Sequence, residues 1–522
     1  MRTSVKLALI GLITVPLLGG VVLLQARQDV QGARLFEEVL SRVAREAVDS
    51  AAVAELYEQA ARGLIDGIDD PYADLFSPEQ LADFSRQTLG NAYGGVGMQI
   101  EDQQGAVTVT RVFPDTPAER GGVRAGDRIM AVNGHAVRGW RLDEVSDSLV
   151  GQTGTVVAVS FRRPRVQQPI ETSFARAVIH VPAVPFALSL AEGIGYVPLQ
   201  RFNDTAAEEV RDAVARLQGD GARAFIIDLR GNPGGSLEQA LRLADLFLGE
   251  EQQIASVRYR NQPADVYDAG PGDIAGEAPL VILTDGYSAS AAEIVAGALQ
   301  DHDRALIVGA PTFGKGLVQT MFPLSSGWAL KLTTGKWYTP SGRSIQRADT
   351  PAHADARAPL PDTRRADRPR FRSAAGRTVY GGGGIVPDLV VLADTLSAAE
   401  HALFSALAPA AQASYVALYE LGLELKDSVA GDFRVEPAWR ASYYERLRRT
   451  GVRVDRPLFD AGAPLVDRWI EQRVAGLAFG DSLAFRRGVA RDRPLMRALQ
   501  LLRQARTTQQ LFALAARIGG AS

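Results

Sequence analysis

From residue 32 the apolar positions fall three and four apart. In LFEEVLSRVAREAV the residues Leu35, Val39, Leu40, Val43 and Ala47 share one face, which predicts a helix. Helical patterning extends over 32–89, where Ser77-Pro78-Glu79 reads as an N-cap followed by proline at the first helical position. Between 90 and 180 the pattern changes to short β-rich runs such as VTVTRVF and TVVAVSF, separated by glycine turns. From 193 to 346 strand and helix patterns alternate. AFIIDL (224–229) and APLVILT (278–284) are continuous apolar runs of strand length, while SLEQALRLADLFL and SAAEIVAGALQ have helical period. This order predicts a mixed α/β core with largely buried strands. Residues 347–376 are rich in Pro, Arg, Asp and Ala without any period, which predicts a mobile surface loop. Residues 396–522 predict a helical extension with no chemistry of its own. Amphipathic pieces there, such as APLVDRWIEQRVAGLAF, suit packing on the core, self-association or an adaptor.

The first 28 residues stand apart. Arg2 and Lys6 precede an apolar run from Leu7 to Leu24, and Arg27 follows. As a helix that run would span ~27 Å, against a hydrocarbon core of ~30 Å. It reads as a signal peptide or a membrane anchor, and either exports the remainder to the periplasm or the extracytoplasmic face of the membrane.

Composition narrows the function. A chain of 522 residues divides into several domains. A net charge of -3 gives no bulk attraction to nucleic acid, so no such partner is expected. There is no cysteine, which excludes disulfides, iron–sulfur clusters and thiolate zinc sites. The five histidines show no ligand spacing, so neither metal nor cofactor is expected.

Within 90–180 lies PDTPAERGGVRAGDRIMAVNGHAV. Thr116-Pro117-Ala118-Glu119 opens a short helix, and Asn133-Gly134 signals a tight hairpin. Together with Gly94-Gly95-Val96-Gly97-Met98 and the V-R-A-G-D-R-I turn, this segment resembles a PDZ domain. The resemblance implies that amides around Gly95, Val96, Gly97 and Met98 receive a peptide's terminal carboxylate, the peptide adding as a strand.

GAPTFGKG (309–316) has the spacing of a phosphate-binding loop, but Gly316 stands where that loop needs Ser or Thr, and the β-like GLVQTMFPL follows instead of a helix. Lys315 is one of only five lysines in a chain that uses arginine for nearly every cation. Lysine can shed its proton where arginine cannot. Burial near Phe313 and apolar strands would depress it from ~10.4 toward ~7–8, the range of a general base. A base needs a nucleophile. In GYSASAAEIVAGAL a strand turns into a helix, and either Ser288 or Ser290 could be that nucleophile or merely the helix cap. In DLRGNPGGS (228–236), Gly234 and Gly235 leave backbone amides uncovered, as an oxyanion hole requires.

DLRGNPGG, GYSASAAEIVAGALQD, GAPTFGKGLVQ, YTPSGRSIQ and GGGGIVPD, in that order behind N-terminal helices and a PDZ segment, resemble the carboxyl-terminal processing, or tail-specific, proteases over about residues 35–392. The resemblance implies a Clp protease/crotonase-like α/β core with an inserted PDZ domain. It also implies Ser290 as nucleophile, Lys315 as base, Gln319 as the residue assisting the lysine, and an oxyanion hole made by the amides of Ala291 and one of Gly234 and Gly235. Where the family often has serine, this chain has Ala292. The implied organisation is a leader over 1–28, helices over 32–89, PDZ domain over 90–180, protease core over 181–395 and helical extension over 396–522. The implied substrates are exported polypeptides selected by their free C-terminal tails. Two readings compete. A Ser-His-Asp triad through His302 is disfavoured, because twelve residues of helix would carry the imidazole ~18 Å from Ser290. A catalytically silent PDZ scaffold or peptide-binding receptor is disfavoured because Ser290, Lys315 and Gln319 are all present.

Overall fold

The computed structural model describes residues 31–49, 52–85, 92–103, 105–164, 166–191, 193–347 and 368–519. The expected leader and most of the expected loop, 348–367, lie outside the described residues. The chain forms two compact units. One takes the residues up to Pro78 together with Gln319–Thr333; the other takes Glu79–Val318 and Thr334 onward.

In the first unit, residues 31–46 and Val53–Asp66 are helical, as their period predicts. A strand not foreseen in the helical pattern, Asp74–Phe76, pairs antiparallel with Ala329–Lys331. Three residues are too short to show a period. Thr333 is tied to Asp70, whose carboxylate accepts from its amide at 2.9 Å and from its hydroxyl at 3.0 Å.

The second unit contains three bodies. The first is a six-strand antiparallel sheet ordered Met98–Gln103, Ala106–Val112, Arg128–Val132, Val156–Arg162, Ile170–Ala175, with the short strand His135–Ala136 also paired to Arg128–Val132. Alternate residues such as Val157, Val159 and Phe161 point into its core, where helix Leu142–Leu149 adds Val145 and Leu149. Asn133 and Gly134 carry φ of 50° and 81°, the pair of positive values that a two-residue hairpin between matched strands needs. Buried Asp127, of the G-D-R-I turn, accepts both arms of the Arg163 guanidinium at 2.7 and 2.8 Å.

The second body is a six-strand sheet ordered Leu188–Ala191, Ile194–Pro198, Ala224–Asp228, Leu280–Thr284, Leu306–Gly309, Leu389–Val390. All neighbours after the first pair run parallel. Parallel strands need both faces covered, which is why they read as unbroken apolar runs. Phe225, Ile227, Leu280, Ile282 and Ile307 meet helices Ala206–Gly219, Leu237–Asp245 and Ala291–Asp301 on one face. Ile194, Tyr196, Ala224, Ile226, Val281, Leu283, Leu306 and Val308 face the other way. They pack on Leu495, Leu499, Leu502, Leu511 and Ala515 of the last two helices, Arg493–Gln504 and Thr508–Gly519. Each such fully buried side chain contributes about 1.5–3 kcal/mol.

The third body is helical. Ala398–Leu425 is long and apolar enough to cross a membrane by length and composition alone, yet Leu403, Leu407, Ala417 and Leu421 lie in a core shared with Tyr443, Phe459 and Ile470. Helix Ala463–Phe479, the amphipathic piece singled out in the sequence, buries Leu465, Val466, Ile470, Val474 and Ala475 within this chain. Tyr419 reaches the antiparallel sheet, its hydroxyl donating to Val109 O at 3.0 Å. The tail of the expected loop is ordered: Arg370–Arg372 pairs antiparallel with Thr378–Tyr380. Its arginines conceal a short hairpin whose pairing partner follows at once.

Candidate active site

Strand Leu280–Thr284 is buried throughout and ends at Asp285. One oxygen of that carboxylate accepts from the amides of Tyr287, Ser288 and Gly231 at 2.9, 3.1 and 3.0 Å, fixing a tight turn. Ser288 is fully buried. Its hydroxyl donates to Leu229 O at 2.7 Å and accepts from the Asp285 amide at 3.0 Å, so its bonding capacity is spent on the turn. Ser290 differs. It is half-buried, and its backbone sits at φ 53°, ψ -113°, a conformation that costs a non-glycine residue about 1–3 kcal/mol. Such an elbow turns a strand sharply into a helix and holds the side chain out at the turn. Ala291 opens helix Ala291–Asp301, and the first amides of a helix have no acceptor within it.

Glu293, one turn into the helix, organises the site. It is fully buried. Oε2 accepts from the backbone amides of Ser290 at 2.8 Å and Lys315 at 2.9 Å. Oε1 accepts from the amide of Gly314 at 2.7 Å and from the hydroxyl of Thr312. One oxygen therefore holds the backbones of both residues, twenty-five positions apart in sequence, within the reach of two hydrogen bonds that share an acceptor. Burial pushes the Glu293 carboxyl up from its ordinary range; the four donors pull the other way. The lysine loop is fixed from its other side too. Buried Trp337 donates from Nε1 to Lys315 O at 3.1 Å, and Gln346 Oε1 accepts from the Gly316 amide at 2.8 Å. The sequence reading passed over Glu293, although Ser290-Ala291-Ala292-Glu293 has the S-x-x-E spacing of a capping box.

The glycine loop leans directly on the Ser290 turn. Gly234 has φ 99°, and a Cβ there would stand 2.8 Å from Ala289 O and 2.9 Å from Ser290 Cβ. Only glycine allows that approach. Asn232, fully buried, shapes the loop: its side chain donates to Leu199 O at 2.8 Å and accepts from the Gly234 amide at 2.8 Å. The Gly234 amide is thus occupied, whereas none of the described contacts occupies the Gly235 amide.

The remaining expected residues fall as follows. Gln319 lies in the first unit, its side-chain nitrogen donating to Thr333 Oγ1 at 3.3 Å. His302 caps the far end of the helix that Ser290 begins, and its Nε2 contacts Gln253 O at 2.7 Å. That anchorage explains the residue without catalysis. The same helix ends at Asp301, which pairs with wholly buried Arg343 at 2.6 Å; nothing in the apolar pattern marked this pair. In the antiparallel body, Gly95 ends strand Ala92–Gly95 and Met98 begins the edge strand, with Val96 and Gly97 between them. The carbonyls of Val96 and Gly97 accept from Ala118 and Phe113, which commits one side of the loop inward. Among the described residues, Met98–Gln103 pairs with a strand on one side alone, and near its end Asp102 O accepts from Gln412 Nε2 at 3.1 Å.

A buried carboxylate that gathers a strained serine and a loop lysine, a glycine loop against that serine and an antiparallel sheet behind a glycine turn are the marks of a PDZ-containing serine-type peptidase with an α/β core. Peptidase family S41 matches residues 193–354, and the PDZ domain matches 108–163. The carboxy-terminal-processing protease of Bartonella bacilliformis is 37% identical over 334 residues, covering 63% of this chain and 75% of that protein. Carboxy-terminal processing protease CtpA of Bacillus subtilis is 34% identical over 308 residues, covering 59% of this chain and 65% of that protein. Among solved structures, a photosystem II D1 C-terminal processing protease is 30% identical, covering 60% of this chain and 89% of that one, at a TM-score of 0.35. The chain belongs to the carboxy-terminal-processing proteases of peptidase family S41.

Proposed function

We propose that the peptidase works through a Ser290/Lys315 dyad on exported polypeptides chosen by their C-terminal tails. Neutral Lys315 takes the proton of Ser290 Oγ as that oxygen attacks the scissile carbonyl carbon. The amides of Ala291 and Gly235 receive the oxyanion. The carbon–nitrogen bond breaks, the departing amine takes the proton from Lys315, and an ester on Ser290 remains. Water, deprotonated by the same lysine, then releases the new carboxylate. Gln319 has the assisting role that the family resemblance gives it. A tail enters along Met98–Gln103 as an added strand, with its carboxylate at the amides of Gly95 to Met98. The bodies that divide this labour are the helices of 32–89, the PDZ domain of 90–180, the protease core of 181–395 and the helical extension from 396. The leader over 1–28 delivers them beyond the inner face of the membrane.

The observation that carries this reading is the Glu293 clamp: the oxygen that caps the helix by accepting from the Ser290 amide also accepts from the amide of Lys315, which a helix cap does not need. The test is cleavage of fluorescein-labelled casein by the full chain. Ser290→Ala, Lys315→Ala and Lys315→Arg should each abolish turnover, since arginine keeps its proton, while Ser288→Ala should retain it in whatever fraction folds. An active Lys315→Arg variant would remove lysine as the base. Parental cleavage by Ser290→Ala would remove the dyad.

A further inference from the structure

Among the described residues, Asp492 of the C-terminal helical region reaches the glycine loop at Arg230. Arg230 stands at the start of the loop that ends in Gly234 and Gly235, with its side chain about one-fifth exposed. Its guanidinium is shared by two carboxylates. Nε donates to Asp228 Oδ1 at 2.9 Å and Nη2 to Asp228 Oδ2 at 2.6 Å. Nη1 and Nη2 also donate to Asp492 Oδ1 and Oδ2 at 2.9 and 2.7 Å. Asp228 is the last residue of its strand and is further fixed by the Tyr196 hydroxyl at 2.7 Å. Asp492 belongs to a different part of the chain, 262 residues on. It is the N-cap of helix Arg493–Gln504, accepting from the Leu495 amide at 3.1 Å. That helix is seated against the sheet by Leu495, Leu499 and Leu502, so the carboxylate is held by hydrophobic packing rather than by the loop it serves.

The rest of the loop is tied to the core through Gly231, Asn232 and the Ala289 amide, which donates to Asn232 O at 2.9 Å. Its first turn is held by the Arg230 amide, which donates to Asp228 Oδ1 at 3.0 Å, and by the guanidinium. Two carboxylates brought together without that guanidinium would repel, whereas the fork geometry of arginine bridges both.

We propose that Asp492 is a positioning residue for hydrolysis: by clamping Arg230 against Asp228 it fixes the oxyanion loop relative to Ser290, so the helical extension contributes to turnover and not only to packing. This rests on the dyad reading above.

Two variants keep the helix cap while breaking the clamp. Asp492→Asn still accepts from Leu495 but turns an N–H toward the guanidinium, and Asp492→Ser caps without reaching it. In the full chain, kcat on fluorescein-labelled casein should fall about 10- to 100-fold with KM changed less than about 3-fold, the pattern of a misaligned transition-state contact. Asp492→Glu, which restores the charge, should recover most of the loss. In a Ser290→Ala background, amide hydrogen exchange over 229–236 should quicken in the Asn and Ser variants while exchange over 495–504 stays parental. Arg230→Lys keeps the charge but cannot bridge both carboxylates, and its kcat should fall as far. A parental kcat in Arg230→Lys overturns the clamp whatever the Asp492 variants do. Parental kcat and exchange in both Asp492 variants overturn it as well. If Ser290→Ala is inactive while all these variants are parental, only the clamp fails; if Ser290→Ala cleaves, the dyad fails and the exchange measurement still judges the clamp.

Discussion

Replacing Glu293 by glutamine changes one oxygen to an N–H₂ at constant shape, in a position where the side chain serves four donors. If the new nitrogen faces Thr312 and Gly314, the Gly314 amide loses its partner, and the Thr312 hydroxyl, which already accepts from the Ile385 amide at 2.7 Å, loses the acceptor of its own hydrogen. One buried amide without a partner costs about 1–3 kcal/mol. If the nitrogen faces the other way, the amides of both Ser290 and Lys315 confront a donor, so the first arrangement is preferred. Removing a buried carboxylate returns some solvation energy, because burial already pushes that carboxyl up. With two donors affected and part of the cost returned, the net loss of stability should be about 1–3 kcal/mol, and the variant should fold. Activity should suffer more. The Gly314 amide holds the lysine loop next to Lys315, and a displacement of ~1 Å between reacting groups costs about 100-fold. Steady-state casein cleavage beside thermal unfolding separates the two effects. Parental kcat/KM in a folded Glu293→Gln enzyme would refute the claim that this carboxylate sets the Ser290–Lys315 geometry.

Gly234→Ala should fold poorly or be inactive, since its Cβ would press on Ala289 O and Ser290 Cβ in a backbone at φ 99°; turnover falling at least about 100-fold is expected, measured alongside circular dichroism. Asp301→Asn weakens the pairing of buried Arg343 at the far end of the helix that Ser290 begins and should cost up to about 3–5 kcal/mol, read as a lowered urea midpoint. His302→Ala should keep parental kcat, because the imidazole only anchors a helix end to Gln253 O; a dead but folded variant would revive the histidine triad. Leu499→Ala, on the helix that seals the parallel sheet, should cost about 2–5 kcal/mol by thermal or chemical unfolding.

Legibility followed the range of the forces involved. The strands Ala224–Asp228 and Leu280–Thr284 and the helix after Ser290 could be read because their signals are local: apolar runs, a turn and a period. The Asn133-Gly134 hairpin was readable for the same reason, since its positive φ values belong to those two residues. Strand Asp74–Phe76 was not, because its hydrogen bonds go to Ala329–Lys331, far along the chain. The hairpin Arg370–Arg372 hid in a polar segment whose composition said loop.

The sequence by itself determined which side chains could do chemistry: a scarce lysine, a serine at a strand-to-helix turn and a glycine pair behind another strand. It also determined that the core strands must be covered on both faces, since only that accounts for unbroken apolar runs. What covers the second face was decided by tertiary structure, which brings the last two helices under the sheet. The folded chain likewise separates Ser288 from Ser290: it buries the first hydroxyl against Leu229 O and the Asp285 amide, and leaves the second half-buried on a strained backbone. The gathering of the Ser290 and Lys315 amides on Glu293 belongs to it as well. The physical reason is that a hydrogen bond reaches about 3 Å in space regardless of separation along the chain, so a one-dimensional pattern names the participants but not their partners.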